Sequence, residues 1–249
     1  MSSPPTRCAR PLKGATPVDR RSRIHGVRAV PAAACNGRSV HAEPPAKGRI
    51  RQAQEAAILR AAEQVFARCG FAGATMHDIA QAAACPKSTV HYYFGTKEAL
   101  HRAVLDDILA TWLAGTEALL PEADPREALT HYLRHKMQLA FTRPEASQVF
   151  ANELLHGAPQ LSAALQQDLR ALVQNKAAVI DGWIAAGRMA PVDSTHLFFS
   201  LWAMTQTYAD FEVQVAAVLG TARPLPAAAQ ARAVAHVEQF VLRACGLTA

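Results

Sequence analysis

Between Gln54 and Cys69 the apolar residues Ala57, Ile58, Ala61, Ala62, Val65 and Phe66 return at helical spacing, which predicts an amphipathic helix. Gly70 follows where a C-terminal cap belongs. Thr75 then stands at an N-cap position with Asp78 three residues on, a weaker capping box. This predicts a short helix over Met76–Ala82. A tight turn through Ala83, Ala84 and Cys85 leads to a third helix, opened by Pro86 and running to about Phe94. Gly95 breaks it, and Thr96 caps a fourth helix over Lys97–Trp112. Helical patterning continues over Pro125–Thr142, Pro144–His156, Ser162–Gly187, Ser194–Leu219 and Ala227–Cys245, with Pro and Gly marking the breaks. No strand-like alternation and no fixed repeat appear. The expected fold class is all-α, with a three-helix head at residues 49–96 and a larger helical bundle at 97–249. Residues 1–48 hold seven prolines and four glycines and are expected to form a disordered basic tail.

Composition sharpens this picture. Half of the 249 residues are apolar and 18% are charged, below the usual quarter, which suits broad dry helix faces. No apolar run approaches the roughly 18 residues of a membrane span, and the first residues lack a secretory apolar core. The net charge of +6 is unevenly placed. Residues 1–48 hold nine Lys/Arg against two Asp/Glu, 49–97 hold six against three, and 98–249 hold eleven against fifteen. A polyanion is therefore expected at the front of the molecule. The cysteines Cys8, Cys35, Cys69, Cys85 and Cys245 are odd in number and form no CxxC pair, so reduced thiols in a cytoplasmic protein are expected.

The three helices from Gln54 to Phe94, the second and third of them short, have helix-turn-helix proportions, in which the third helix enters the DNA major groove. Lys87 supplies a phosphate-seeking charge, Ser88 and Thr89 short hydroxyls, and His91 and Tyr92 longer hydrogen-bonding tips. The run ILRAAEQVFARCGFAGATMHDIAQAAACPKSTVHYYFGTKEALHRAV, Ile58 to Val104, resembles the TetR-type repressors. The resemblance implies a homodimer that binds double-stranded DNA through its heads and a small ligand through its bodies. It places Lys87, Ser88, Thr89 and His91 in the groove, Thr75, Tyr92 and Lys97 on phosphates, and Phe66, Ile79, Val90 and Phe94 in the head's core. Three residues depart from the family pattern: Ala84 for a turn glycine, Pro86 for a capping serine, and His91 for a common tyrosine.

The stretch from Arg143 to Gly220, with its segments MAPVD and HLFFSLWAMTQTYADF, is similar to the C-terminal domain of the pyrimidine-utilisation regulators within that family. This implies a uracil-sensing regulator that leaves DNA on binding its effector. The residues allow an independent argument. Trp202, Gln206 and Asp210 form one stripe at i, i+4 and i+8. An aromatic plate, a carboxamide and a carboxylate suit a small planar polar ligand; the same residues also suit core packing or a dimer contact. The alternatives are an apolar effector for the same regulator and, further off, an enzyme acting on a small molecule, for which no GxSxG, P-loop, GxGxxG or HExxH is present. His131 and His135 share a helix face at a zinc-compatible spacing without an evident third ligand, and Trp183 is expected to be packing. Neither a metal nor a cofactor is expected.

Overall fold

The computed structural model describes residues 47–161 and 163–247. The expected basic tail lies outside them, apart from the start of the first helix. Ten α-helices and one 3-10 turn, with no strand, occur among the described residues. Helix α1 (Lys47–Gly73) starts ahead of the expected Gln54. It is interrupted at Gly70, where φ of 65° leaves helical geometry, and resumes as far as Gly73. Ala57 is exposed, whereas Ile58, Ala61, Ala62, Val65 and Phe66 are buried.

Helix α2 (Met76–Ala82) is capped by Thr75, whose Oγ1 accepts from the Asp78 N–H at 3.1 Å. That hydroxyl donates to Asp78 Oδ2 at 2.6 Å, so the box closes side chain to side chain. Helix α3 (Lys87–Phe94) begins one residue after its expected start, because Pro86 is the extended N-cap and offers no side-chain bond. Helix α4 (Lys97–Ala114) is capped as expected by Thr96, which accepts from the Ala99 N–H at 3.1 Å.

Ile79 and Val90 are fully buried with Phe66, while Phe94 is half-buried against the same cluster. Three helices do not close this core. Leu105, Ile108 and Leu109 of α4 complete it, together with Ala146, Val149 and Phe150 of α6 (Pro144–Leu155).

The turn before α3 carries strain. Ala84 has φ of +51°, a left-handed conformation that costs an L-residue about 1–2 kcal/mol. Glycine removes that cost but adds unfolded-state entropy of about 0.4–1 kcal/mol. Ala84→Gly is therefore expected to raise the urea midpoint modestly, by under about 1 kcal/mol of stability. A lowered midpoint would mean that the alanine methyl is needed in place.

The body is built around α5 (Pro125–Thr142), which packs between α8 (Ser194–Asp210) and α10 (Ala227–Ala244). Leu129, Tyr132, Leu133 and Met137 of α5 meet Phe198 and Leu201 of α8 and Val237 and Val241 of α10. Helix α7 (Ala163–Ala185) adds Ile180 and Trp183. Trp183 is buried as expected, and its indole N–H donates to the Pro121 carbonyl at 3.1 Å.

The expected single helix over Ser194–Leu219 is two. Phe211 leaves helical geometry (φ −116°, ψ 31°) and α9 (Glu212–Leu219) turns away so that Ala216 packs on Leu225 and Ala229. No glycine or proline marks that break. Cys85 and Cys245 are free thiols, but Cys69 is disulfide-bonded. This departs from the expectation of reduced cysteines: an odd count and the lack of CxxC say nothing about closeness in space. Among the described residues no helix is long and apolar enough to cross a membrane.

Candidate DNA-reading face and effector cavity

Helix α3 is held from below by Val90 alone among its fully buried residues. Lys87, Ser88, His91 and Tyr92 are exposed, Tyr92 to 75%, and Thr89 is half-buried. Tyr93 is half-buried, and its ring meets Tyr92 edge-on at 5.3 Å. His91 Nδ1 lies 2.7 Å from the Gly95 carbonyl oxygen. An acceptor there requires the proton on Nδ1, so that nitrogen is engaged within the head.

Thr75 is exposed at the start of α2 with its hydroxyl engaged in the cap. Lys97 donates to the carbonyls of Phe71 (2.8 Å) and Ala74 (3.1 Å), and its Nζ lies 4.5 Å from the Phe71 ring centroid. It fastens α4 to the segment between α1 and α2. One of the three ammonium hydrogens remains for another partner.

A cavity of about 270 Å³ opens in the body. Leu109, Trp112 and Phe150 line one side, and Tyr132, Phe198 and Trp202 the other. These two sets belong to different hydrophobic clusters, one shared with the head and one belonging to the body. The cavity therefore lies on the seam between them.

Trp202 and Gln206 both line the cavity, while Asp210 does not. The Trp202 indole N–H donates to the Tyr132 hydroxyl at 2.9 Å. Burial pushes the Tyr132 phenol up to about 12, against the opposing pull of that bond. Gln206 is half-buried. Asp210 sits at the last position of α8, near Lys136 and Ser147. Burial raises its carboxyl above the usual range, with the Ser147 hydroxyl and the Lys136 ammonium pulling it down.

Sequence reasoning missed Lys136. It lines the cavity, is only 4% exposed, and its Nζ lies 4.1 Å from the Trp112 ring centroid. No salt bridge to it forms among the described residues. Burial lowers its pKa to about 8, with Asp210 opposing the fall. The signal was available: Tyr132 and Lys136 stand at i and i+4 on the buried face of α5. A lysine on an apolar face reads as a snorkelling surface residue until tertiary structure covers it.

The histidine pair is not assembled into a metal site. The His135 ring packs on Gly115, and its Nε2 meets the Thr111 carbonyl at 3.1 Å. His131 is exposed. No cluster able to hold a metal occurs among the described residues.

Residues 58–104 match the bacterial regulatory proteins of the tetR family, and residues 105–248 match the YcdC-like protein C-terminal region. The chain is 44% identical over 174 residues to the HTH-type transcriptional regulator RutR of Escherichia coli strain K12, covering 70% of this chain and 82% of that protein. It is 35% identical over 132 residues to the HTH-type transcriptional repressor NicS of Pseudomonas putida, covering 53% of this chain and 61% of that protein. The ketosteroid transcriptional regulator KstR2 of Mycobacterium tuberculosis shares the fold at a TM-score of 0.61 and 17% identity, over 77% of this chain and 94% of that one. An exposed third helix, a two-part helical architecture and an internal cavity thus accompany matches that together run from Ile58 almost to the end of the chain. The chain is a ligand-responsive transcriptional regulator and belongs to the tetR family of bacterial regulatory proteins.

Proposed function

We propose that the effector is a small planar imide of the uracil type and that its binding releases the protein from a palindromic operator. The observation that carries this reading is the buried ammonium of Lys136 and the half-buried amide of Gln206 in the wall of a mostly apolar cavity. An apolar effector would offer neither group a hydrogen-bond partner, a loss of about 1–3 kcal/mol for a group it seals from water. Uracil offers two carbonyls and two ring N–H groups. Lys136 donates to one carbonyl, Gln206 pairs with an N–H and the neighbouring carbonyl, and an indole covers the ring face. The likeness of residues 143–220 to pyrimidine-utilisation regulators supports the same choice. Asp210 acts in this reading from outside the cavity, as the counter-charge of Lys136.

Titration calorimetry tests it. Uracil is expected to bind the full chain, and Gln206→Ala to weaken it about tenfold, the loss of one or two neutral hydrogen bonds. Heat from acyl compounds but none from uracil would transfer the site to the apolar alternative. Uracil is expected to return unchanged from prolonged incubation, as for a sensor and not an enzyme.

On the DNA side, Lys87, Ser88, Thr89 and His91 are assigned to the groove, and Thr75, Tyr92 and Lys97 to phosphates. In this reading His91 contacts a base edge through Nε2, its Nδ1 being engaged by the Gly95 carbonyl. A homodimer would present two copies of α3 one helical turn apart. Exposed Phe199, Phe211, Val213 and Phe240 on the outer faces of α8–α10 supply apolar surface for that pairing. Lys87→Ala is expected to weaken operator and random DNA alike and to reduce the salt slope by about one. A loss confined to the operator would make Lys87 a base reader.

A further inference from the structure

Arg143 stands between α5 and α6, ending one and opening the other. Its guanidinium reaches into the molecule and is 14% exposed. One amino nitrogen, Nη2, donates to Glu63 Oε2 on α1 at 2.5 Å and to Asp107 Oδ2 on α4 at 2.7 Å. The other, Nη1, donates to Thr111 Oγ1 on α4 at 3.1 Å. One side chain at a joint of the body therefore grips both long helices of the head.

The grip borders the cavity. Lys136 lies on α5, and Arg143, seven positions on, is the residue that ends that helix. A narrow crevice has Trp112, Lys136, Arg143 and Gln206 among its lining residues. Three of these four also line the effector cavity. Trp112 is adjacent in sequence to Thr111, where Arg143 is bonded, and the Thr111 carbonyl meets His135 of α5.

We propose that Arg143 is the positioning residue through which the occupied cavity moves the DNA-reading head. This rests on the effector reading above. A ligand that engages Lys136 and presses on Trp112 displaces the turn of α4 held by Arg143. Because the same guanidinium holds Glu63, α1 follows α4, and the head shifts as a unit. Coupling of this kind needs a contact whose strength differs between the two states, not proximity alone. A buried multivalent guanidinium meets that need, since small displacements break its directional bonds.

The facing charges make the grip responsive to pH. Burial pushes Glu63 up to about 7, with Arg60 opposing and Glu145 and Asp107 adding to the rise. Burial also raises Asp107, again opposed by Arg60. As pH rises through about 7, Glu63 ionises and its charge-assisted bond to Arg143 strengthens.

The experiment uses the full-length protein, comparing wild type with Arg143→Met and with the double variant Arg143→Met/Glu63→Gln, which removes the buried carboxylate left without Arg143. Three quantities are read: uracil affinity, the ratio of operator affinities without and with saturating uracil, and hydrogen exchange of the α4 amides at 107–114. The variants are expected to hold uracil within about threefold of wild type and to exchange faster over 107–114. Their operator ratio is expected to fall at least fivefold toward one. A purely structural role would change stability and leave the ratio intact. An unchanged ratio, in whichever variant folds, overturns the proposal, as does unchanged exchange over 107–114. If wild type ignores uracil altogether, the effector reading fails, and the exchange arm alone then decides whether Arg143 holds α4.

Discussion

Lys136→Met is expected to make the protein more stable and to weaken its response to the proposed effector at the same time. The lysine is almost fully buried and its pKa falls from 10.5 to about 8. Below pH 8 it is charged in both folded and unfolded chains, so the folded state carries the full desolvation cost, about 3 kcal/mol by linkage. Between pH 8 and 10.5 the unfolded chain binds more protons, so stability rises with pH and the cost disappears above 10.5. Contact with the Trp112 face returns up to about 2 kcal/mol. Methionine fills a similar volume and removes the charge. The expected net gain at pH 7 is about 1–2 kcal/mol, read as a higher urea midpoint, and the variant loses the rise in stability between pH 8 and 10.5. Uracil binding should fall about 10- to 100-fold, the range for a hydrogen bond to a charged group. A variant less stable than wild type would make Lys136 a structural residue and remove the strongest support for a polar effector.

Stability and response are opposed at this position because the sequence hides one charge in a dry wall. Much of the rest was open to reading. The caps Thr75, Thr96 and Asp124, with Pro125 opening α5, announce their helices through local geometry that needs no distant partner. Even the strain at Ala84 follows from a turn that takes a positive φ.

The failures share a different cause. The break at Phe211 has no local breaker and exists because Ala216 finds Leu225 and Ala229. Asp210 belongs to the stripe of Trp202 and Gln206 in helical projection, but it is the last residue before that break and falls beyond the cavity. Lys136 and Arg143 acquire their meaning from residues 24 and 80 positions away or more, Trp112 and Glu63. Periodicity describes a face, and only packing says what covers it.

Phe66→Ala is expected to separate the two halves of the function. Phe66 is 2% exposed, with its ring centroid 4.7 Å from that of His101 and 6.2 Å from that of Phe71. Truncating such a ring costs about 3–5 kcal/mol through lost burial and the cavity left behind. The cluster that suffers is the one that positions α3 through Ile79 and Val90. Operator binding is therefore expected to vanish in a gel shift at protein concentrations that saturate wild type. The effector cavity should survive in weakened form. Its Tyr132, Phe198 and Trp202 wall lies in the other cluster, whereas Leu109, Trp112 and Phe150 share the damaged one. Uracil affinity is expected to drop less than tenfold. Because both clusters line the cavity, saturating uracil at 100 times its dissociation constant should, on the proposed reading, return about 2.7 kcal/mol of stability. That gain should appear in the transition that reports on the head as well as in that of the body. Rescue of the body transition alone would mean that the seam does not transmit, and that the cavity and the head are joined only by the chain between them.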